Sequence, residues 1–279
     1  MSTASDAIDG GKDCRPARRW RRDLPSPVGP HPADDLLTPE RAATFRQVLA
    51  RRCDSLAVVV EDCYDPHNAT AAIRTCDIFG IHRIHVTTTR SRFKVNRRVS
   101  QGAHRYVDLR VHATIEDAYA DLRRDGFRIL VSDLHADAVV GPQHLQEHHA
   151  AGPLALVFGS EGFGVSRPAV DAADGCFLIP MVGFSQSLNL SVSVATSIYA
   201  LRGADLAADA PGDMSAERQR GWYHRWISAQ KGAGVARRLA EHDWTPPPDP
   251  RARIEHDRRG DELETFGVPG GPPPTAHGP

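Results

Sequence analysis

The stretch that decides the fold is Phe177–Leu201, "FLIPMVGFSQSLNLSVSVATSIYAL". It begins like a buried strand and ends like a helix, but the helix opens on an unusual face. Ser185, Gln186, Ser187, Asn189, Ser191 and Ser193 fall within nine positions. Such side chains compete with the backbone for hydrogen bonds and favour caps and turns over helix interiors. A local conflict of this kind often marks a functional site, although a buried helix start with satisfied hydroxyls would read the same way.

Upstream of it the chain alternates strands and helices. Thr38, Pro39 and Glu40 predict a helix start, with Phe45, Val48 and Leu49 as its apolar stripe. "LAVVVED" (56–62) is a continuous apolar run of the kind buried on both faces of a sheet. "PHN" (66–68) then opens a helix for which Asn68 is the expected cap, and Gly80 ends it. "RIHVTT" follows as a strand, Thr114 with Asp117 starts another helix, and "FRILVS", "LALVFG" and "CFLIP" supply three more strands. This rhythm predicts an α/β fold with a mostly parallel sheet flanked by helices.

Ligands of such sheets gather at the carboxyl ends of the strands, so three loops carry the functional expectation: "DPHNATAAIRT", "FGSEGFGVS" and "PMVGFSQSLNLS". In the second, Gly159, Gly162 and Gly164 surround Glu161, and Ser166 is placed to cap a short helix. The spacing is G-x-x-G-x-G, neither the dinucleotide fingerprint nor a Walker loop, and taken alone it is equally consistent with a structural turn. The third loop offers free backbone groups and small side chains to a nucleoside-like ligand. Arg74, on a helix otherwise filled by Ala and Ile, is either an ordinary surface arginine or a fork for phosphate.

A net charge of −1 over 279 residues hides an asymmetry. Arg83, Arg90, Arg92, Lys94, Arg97, Arg98 and Arg105 precede the next carboxylate, Asp108, and form a basic segment that is either a phosphate-contacting surface or a solvated loop, the commoner fate of a charge run. Five cysteines without a CxxC pair, no apolar leader and no run of transmembrane length predict a cytoplasmic, membrane-free protein. "HLQEHHA" (144–150) is expected to be a solvated loop, with no metal site. The ends, residues 1–34 with "RPARRWRR" and the Pro/Gly-rich stretch after residue 245, read as disordered tails. The expected division is 1–34 extension, 35–205 catalytic domain and 206–279 helical extension and tail.

Taken together and in this order, "NATAAIRT", "FGSEGFG" and "IPMVGFSQSLNLSVSVA" resemble the SPOUT superfamily of RNA methyltransferases, and within it the TrmH family, from about Pro39 to Arg202. The resemblance implies a deep trefoil knot in the carboxyl-terminal part of the domain, S-adenosyl-L-methionine as cofactor, and a homodimer with shared sites. It implies 2′-O-methylation of RNA, with the guanosine of a tRNA D-loop as the expected target. Ribosomal RNA methylation, including the antibiotic-resistance type, and a non-catalytic RNA-binding role are the alternatives. Carried over by position, Asn68, Arg74, Glu161, Ser187 and Asn189 match catalytic motif residues, and Ser132, Gly159, Ile179 and Leu188 match cofactor contacts. The basic helical stretch 217–243 has the character of an RNA-contacting extension.

Overall fold

Thr38 starts α1 (Pro39–Leu49) as its pattern predicts: the Thr38 hydroxyl accepts from the Arg41 amide and Pro39 occupies the first turn, where a missing N–H costs nothing. The computed structural model describes residues 22–63, 65–89, 93, 96–133, 139–141, 144–160 and 162–247. After α1 come β1 (Cys53–Glu61), α2 (Pro66–Ile78), β2 (Ile81–Thr87), α3 (Arg97–Ser100) and β3 (Asp108–His112). Next are α4 (Ile115–Arg124), β4 (Arg128–Ser132), β5 (Val139–Val140) and α5 (Leu145–Ala150). β6 (Leu154–Phe158), α6 (Arg167–Asp171), β7 (Gly175–Phe177), α7 (Leu190–Ala207) and α8 (Ala216–Glu241) complete the order.

The strands form one sheet in the order β3-β2-β1-β6-β4-β7-β5, and every described pairing is parallel. Because both faces are covered, successive residues of β1 feed different cores. Val58 and Val60 pack with α2 and α7 residues such as Ile73, Val194 and Ile198, whereas Ala57 and Val59 pack with Ile115, Tyr119 and Leu122 of α4. This explains why "LAVVV" reads as a continuous apolar run rather than an alternating one.

Two strands escape the sequence pattern. β3 contains Asp108 and Arg110, both buried and paired to each other at 2.8 Å, so its polar letters conceal an interior strand. β5 spans two residues and carries no period to detect. Asn68 is not the cap of α2: Asp65 accepts from the His67 amide at 2.8 Å, because Pro66 fixes the helix start one turn earlier than the polar pattern suggests. The stretch "HLQEHHA" is not a loop, since residues 145–150 form α5, anchored by the fully buried Leu145.

The expected boundary at residue 34 also moves. Leu24, Val28 and Ala33 are buried, and Val28 and Ala33 join Phe45 and Leu49 of α1 with Trp222, Tyr223, Trp226 and Ile227 of α8 in a second core. Residues 22–50 and α8 are therefore one packed unit on the flank of the sheet domain. Residues 1–21 and 248–279 lie outside the described residues.

Candidate active site

The opening puzzle resolves at α7. Ser185, Gln186, Ser187 and Asn189 are not helical; residues 178–189 run without regular structure, and the helix starts only at Leu190. Asn189 is its N-cap, its Oδ1 accepting from the Ser191 amide at 2.9 Å and from the Ser191 hydroxyl at 2.6 Å. Its amide nitrogen donates to Asn68 Oδ1 at 3.0 Å, so two motif asparagines 121 positions apart tie α7 to the start of α2.

The carboxyl ends of β4, β6 and β7 open onto a cavity of about 580 Å³. Ser132 and Asp133 follow β4, Phe158, Gly159 and Ser160 follow β6, and Leu178, Ile179 and Met181 follow β7. Gln186, Ser187 and Leu188 from the irregular segment, and Leu190 and Ser193 from α7, close it. All four expected cofactor positions, Ser132, Gly159, Ile179 and Leu188, line this one cavity, as does Ser187. Its volume lies in the usual small-molecule range of roughly 300–1,000 Å³. The lining combines apolar walls with the Asp133 carboxylate, several hydroxyls and irregular backbone, which suits a cofactor with a nucleoside body and a cationic amino-acid arm.

The glycine loop is built for close approach. Ser160 and Gly164 exchange backbone hydrogen bonds of 3.1 and 2.8 Å, and Gly164 has φ +67°. A Cβ on Gly159 would lie 2.0 Å from the Gly164 carbonyl, so no other residue fits without opening the loop. Behind it, the buried Glu61 at the end of β1 accepts from the Ser166 amide at 2.8 Å and hydroxyl at 2.6 Å. Ser166 in turn caps α6 through the Ala169 amide, as its sequence position predicts. Glu61 therefore anchors the glycine loop from below, a role that local spacing does not reveal. Glu161 lies outside the described residues.

Arg74 does not line this cavity. It borders a second one, of about 350 Å³, with Arg41, Thr44, Phe45, Gln101, Tyr106 and others. There the Arg41 guanidinium lies 4.7 Å above the Phe45 ring and donates to the Tyr106 hydroxyl at 2.6 Å. Gln230 of α8 donates to the same hydroxyl at 2.7 Å. Two arginines beside aromatic rings make a surface suited to phosphates and bases.

The basic segment divides. Arg83 is excluded as an RNA contact: it is buried in β2 and forms ion pairs with Asp54 at 3.1 Å and with Asp125. Sequence charge counting missed this because both partners are distant in the chain. Arg105 is exposed beside Gln101 and Ala103 of the second cavity. Arg97 and Arg98 lie in α3, with side chains outside the described set, and Arg90, Arg92 and Lys94 lie outside the described residues altogether.

A model of the SpoU rRNA Methylase family matches residues 55–199, more than half of the chain. The chain belongs to this family. Among curated SpoU-type relatives, a tRNA (guanosine(18)-2'-O)-methyltransferase of Thermus thermophilus is 36% identical over 162 residues, 58% of this chain and 81% of that protein. One of the same name from Escherichia coli K12 is 36% identical over 163 residues, covering 69% of its length. The crystal structure of the Aquifex aeolicus TrmH/SpoU tRNA modifying enzyme superposes with a TM-score of 0.61 at 27% identity, covering 69% of this chain and 97% of that one. Among the described residues no helix is long and apolar enough to cross a membrane.

Proposed function

We propose that this SpoU-family protein is an S-adenosylmethionine-dependent RNA 2′-O-ribose methyltransferase that modifies a guanosine of tRNA. The observation that carries this reading is the cavity where the ends of β4, β6 and β7 meet the residue 178–190 segment, because it gathers Ser132, Gly159, Ile179, Ser187 and Leu188 into one place of cofactor size in a chain of a methylase family. The names of the relatives from Thermus and Escherichia support tRNA and the 2′-hydroxyl as the target. Such a substrate puts the site of action in the cytoplasm.

The cofactor supplies an electrophilic methyl group. The residues around the cavity would present that methyl in line with the ribose 2′-oxygen, whose proton would pass to an RNA phosphate or to water. The protein's task is mainly alignment. Gly159 and the irregular backbone at 178–188 hold the donor, and the Asn189–Asn68 bond fixes the wall of the cavity to α2. Arg74 stays charged and is unsuited as a base, so it forks onto an RNA phosphate and orients the ribose. Ser187 and Glu161 stand as further catalytic positions carried by the motif.

Arg74 and the cofactor cavity are separate in one chain, which supports a site completed by a second copy. An apolar face is available for that pairing: Val192, Tyr199 and Leu206 recur every seventh residue on α7, and all three are exposed, with Ile78 of α2 and the fully exposed Val182 and Phe184. A face of this kind is what a homodimer buries. The trefoil knot implied by the family resemblance would lie in this carboxyl-terminal part of the domain.

The test is titration calorimetry of S-adenosylmethionine with the full chain, followed by methylation of tRNA and ribosomal RNA transcripts side by side with nuclease mapping of the product. Cofactor binding without RNA and a single 2′-O-methylguanosine in tRNA are expected. Absence of cofactor binding reduces the protein to an RNA-binding module, and product only in ribosomal RNA moves the substrate.

A further inference from the structure

At the opposite end of β1 from the cofactor cavity, eight strand steps or about 26 Å away, a second group of side chains converges. Cys53 begins β1, His149 ends α5, and Asp213 precedes α8; one donor atom from each lies within 4.8 Å of the other two. Three elements far apart in sequence thus deliver one thiol, one imidazole and one carboxylate to a common point. We propose that this is a binding site for a single zinc-type divalent cation that clips α8 and its leading loop onto the sheet domain.

The donor chemistry and spacing both favour this assignment. Zinc takes S, N and O ligands tetrahedrally at about 2.3 Å for sulfur and about 2.0–2.2 Å for nitrogen and oxygen, which separates a sulfur from an oxygen by about 3.5 Å. Cys53 Sγ and Asp213 Oδ2 stand 3.4 Å apart. Thiolate and carboxylate together balance the charge of the cation, and binding releases the thiol proton to solvent. Arg202 of α7 faces both Cys53 and His149 and opposes a cation there, and Asp205 offsets it on the His149 side.

The ligands are held from behind, as metal ligands usually are. Asp213 Oδ1 accepts from the Asp54 amide, the Ser55 amide is shared by both carboxylate oxygens at 3.4 Å, and Oδ2 also faces the sulfur. The Asp213 backbone is fixed as well: the Gly212 amide donates to the Ala50 carbonyl at 2.8 Å and the Asp213 amide to the Arg52 carbonyl at 3.1 Å. A Cβ on Gly212 would lie 2.0 Å from the Arg52 carbonyl oxygen, so glycine is what lets the two segments run this close. Cys53 is fully buried, and His149 is half-buried with one side toward solvent.

Without a cation the same atoms are joined through the Ser55 hydroxyl, which contacts His149 Nε2 at 2.7 Å and donates to Asp213. Ser55 is not itself a ligand: its hydroxyl bridges His149 and Asp213 in the empty cluster and yields to the cation. Water from the open Asp213 side takes the fourth position. The site is independent of the methyltransferase assignment, because none of its residues touches either cavity.

The experiment uses the full chain, dialysed against zinc and then against metal-free buffer, with the bound metal counted by mass spectrometry, and cobalt(II) as the spectroscopic probe. One equivalent of zinc, and a thiolate-to-cobalt charge-transfer band with tetrahedral d–d bands, are expected. Cys53→Ser and His149→Gln should abolish the band while far-ultraviolet circular dichroism stays native; His149→Gln carries the test if the buried Cys53→Ser variant does not fold. Ser55→Ala should keep it. Zinc should raise the melting temperature of the wild type and not of His149→Gln. Less than stoichiometric metal with no charge-transfer band, or a band that survives both ligand substitutions, overturns the proposal and leaves a hydrogen-bonded clasp around Ser55.

Discussion

Asn189 donates its side-chain amide to Asn68 Oδ1 at 3.0 Å while its own carbonyl oxygen caps α7 through Ser191. One side chain therefore performs two separable tasks. Asn189→Ala removes both and should cost about 1 kcal/mol of stability, the ordinary worth of a cap. Asn189→Asp keeps the acceptor and loses the tether to α2. Urea unfolding and cofactor titration together distinguish the tasks: the aspartate variant should unfold like the wild type and still bind S-adenosylmethionine more weakly.

Gly159→Ala places a methyl carbon on the Gly164 backbone, which cannot step aside as a flexible side chain could. The loop must open, and cofactor affinity should fall about tenfold or more, ~1.4 kcal/mol or greater. Wild-type affinity measured calorimetrically in Gly159→Ala would show that this loop does not shape the cofactor cavity.

For Arg74 the two-cavity arrangement gives a complementation test. Arg74→Ala should bind cofactor normally yet turn over about 100-fold or more slowly, as expected for loss of one aligned charge contact. Mixing it with Gly159→Ala chains should restore activity to about a quarter of wild type per chain if the dimer shares its sites, since half the random dimers regain one of two sites. No recovery after subunit exchange, verified by native mass spectrometry, would place arginine and cofactor in the same chain.

Arg83 predicts an effect on stability instead of on RNA binding. Truncating it leaves Asp125 and part of Asp54 without a partner in a mostly buried setting, so Arg83→Ala should cost about 2–3 kcal/mol. The dependence of RNA affinity on salt should keep its slope, because no phosphate contact is lost. A flatter slope in the folded variant would return Arg83 to the RNA surface.

Stability should also decline in acid through His31. Burial, and then the neighbouring His224, lower its pKa from 6.5 to about 4, with Asp34 opposing and Arg46 reinforcing the shift. The unfolded chain takes up a proton below about 6.5, whereas the folded chain resists until about 4. The contribution of neutral His31 is thus complete above pH 6.5 and is lost as pH falls from there toward 4. Denaturation midpoints from pH 7.5 to 4 should show this decline, and His31→Gln, which retains an acceptor for the Ala33 amide, should flatten it.

Much of the sheet was legible because β1, β4 and β6 carry continuous apolar runs and helices carry their own caps at Thr38, Thr114 and Ser166. β3 was hidden because its interior polarity is satisfied partly within the strand, where Arg110 meets Asp108, and partly by Asp121 of α4, which is not local to it. The same nonlocality misled the reading of Arg83. For the site, the three loops and their glycine were visible, since positive φ and tight approach leave local traces. The Glu61–Ser166 anchor and the Cys53, His149 and Asp213 cluster leave none, because each is assembled from residues scores of positions apart. Asn68 does not cap α2 as its position suggested, since Asp65 and Pro66 start the helix and the Asn68 side chain instead accepts from Asn189.

The joint core of residues 22–50 with α8 sets a timetable for synthesis. Phe45 and Leu49 emerge from the ribosome some 177 residues before Trp222 and Trp226, the rings that cover them. At about 5–20 residues per second that interval is roughly ten to thirty seconds. During it the amino-terminal helix carries a greasy stripe that waits for its covering rings while every strand of the sheet, from Cys53 to Phe177, is made first. The first segment made is thus among the last to settle, and a nascent chain stalled before α8 presents that stripe to whatever chaperone waits at the tunnel exit.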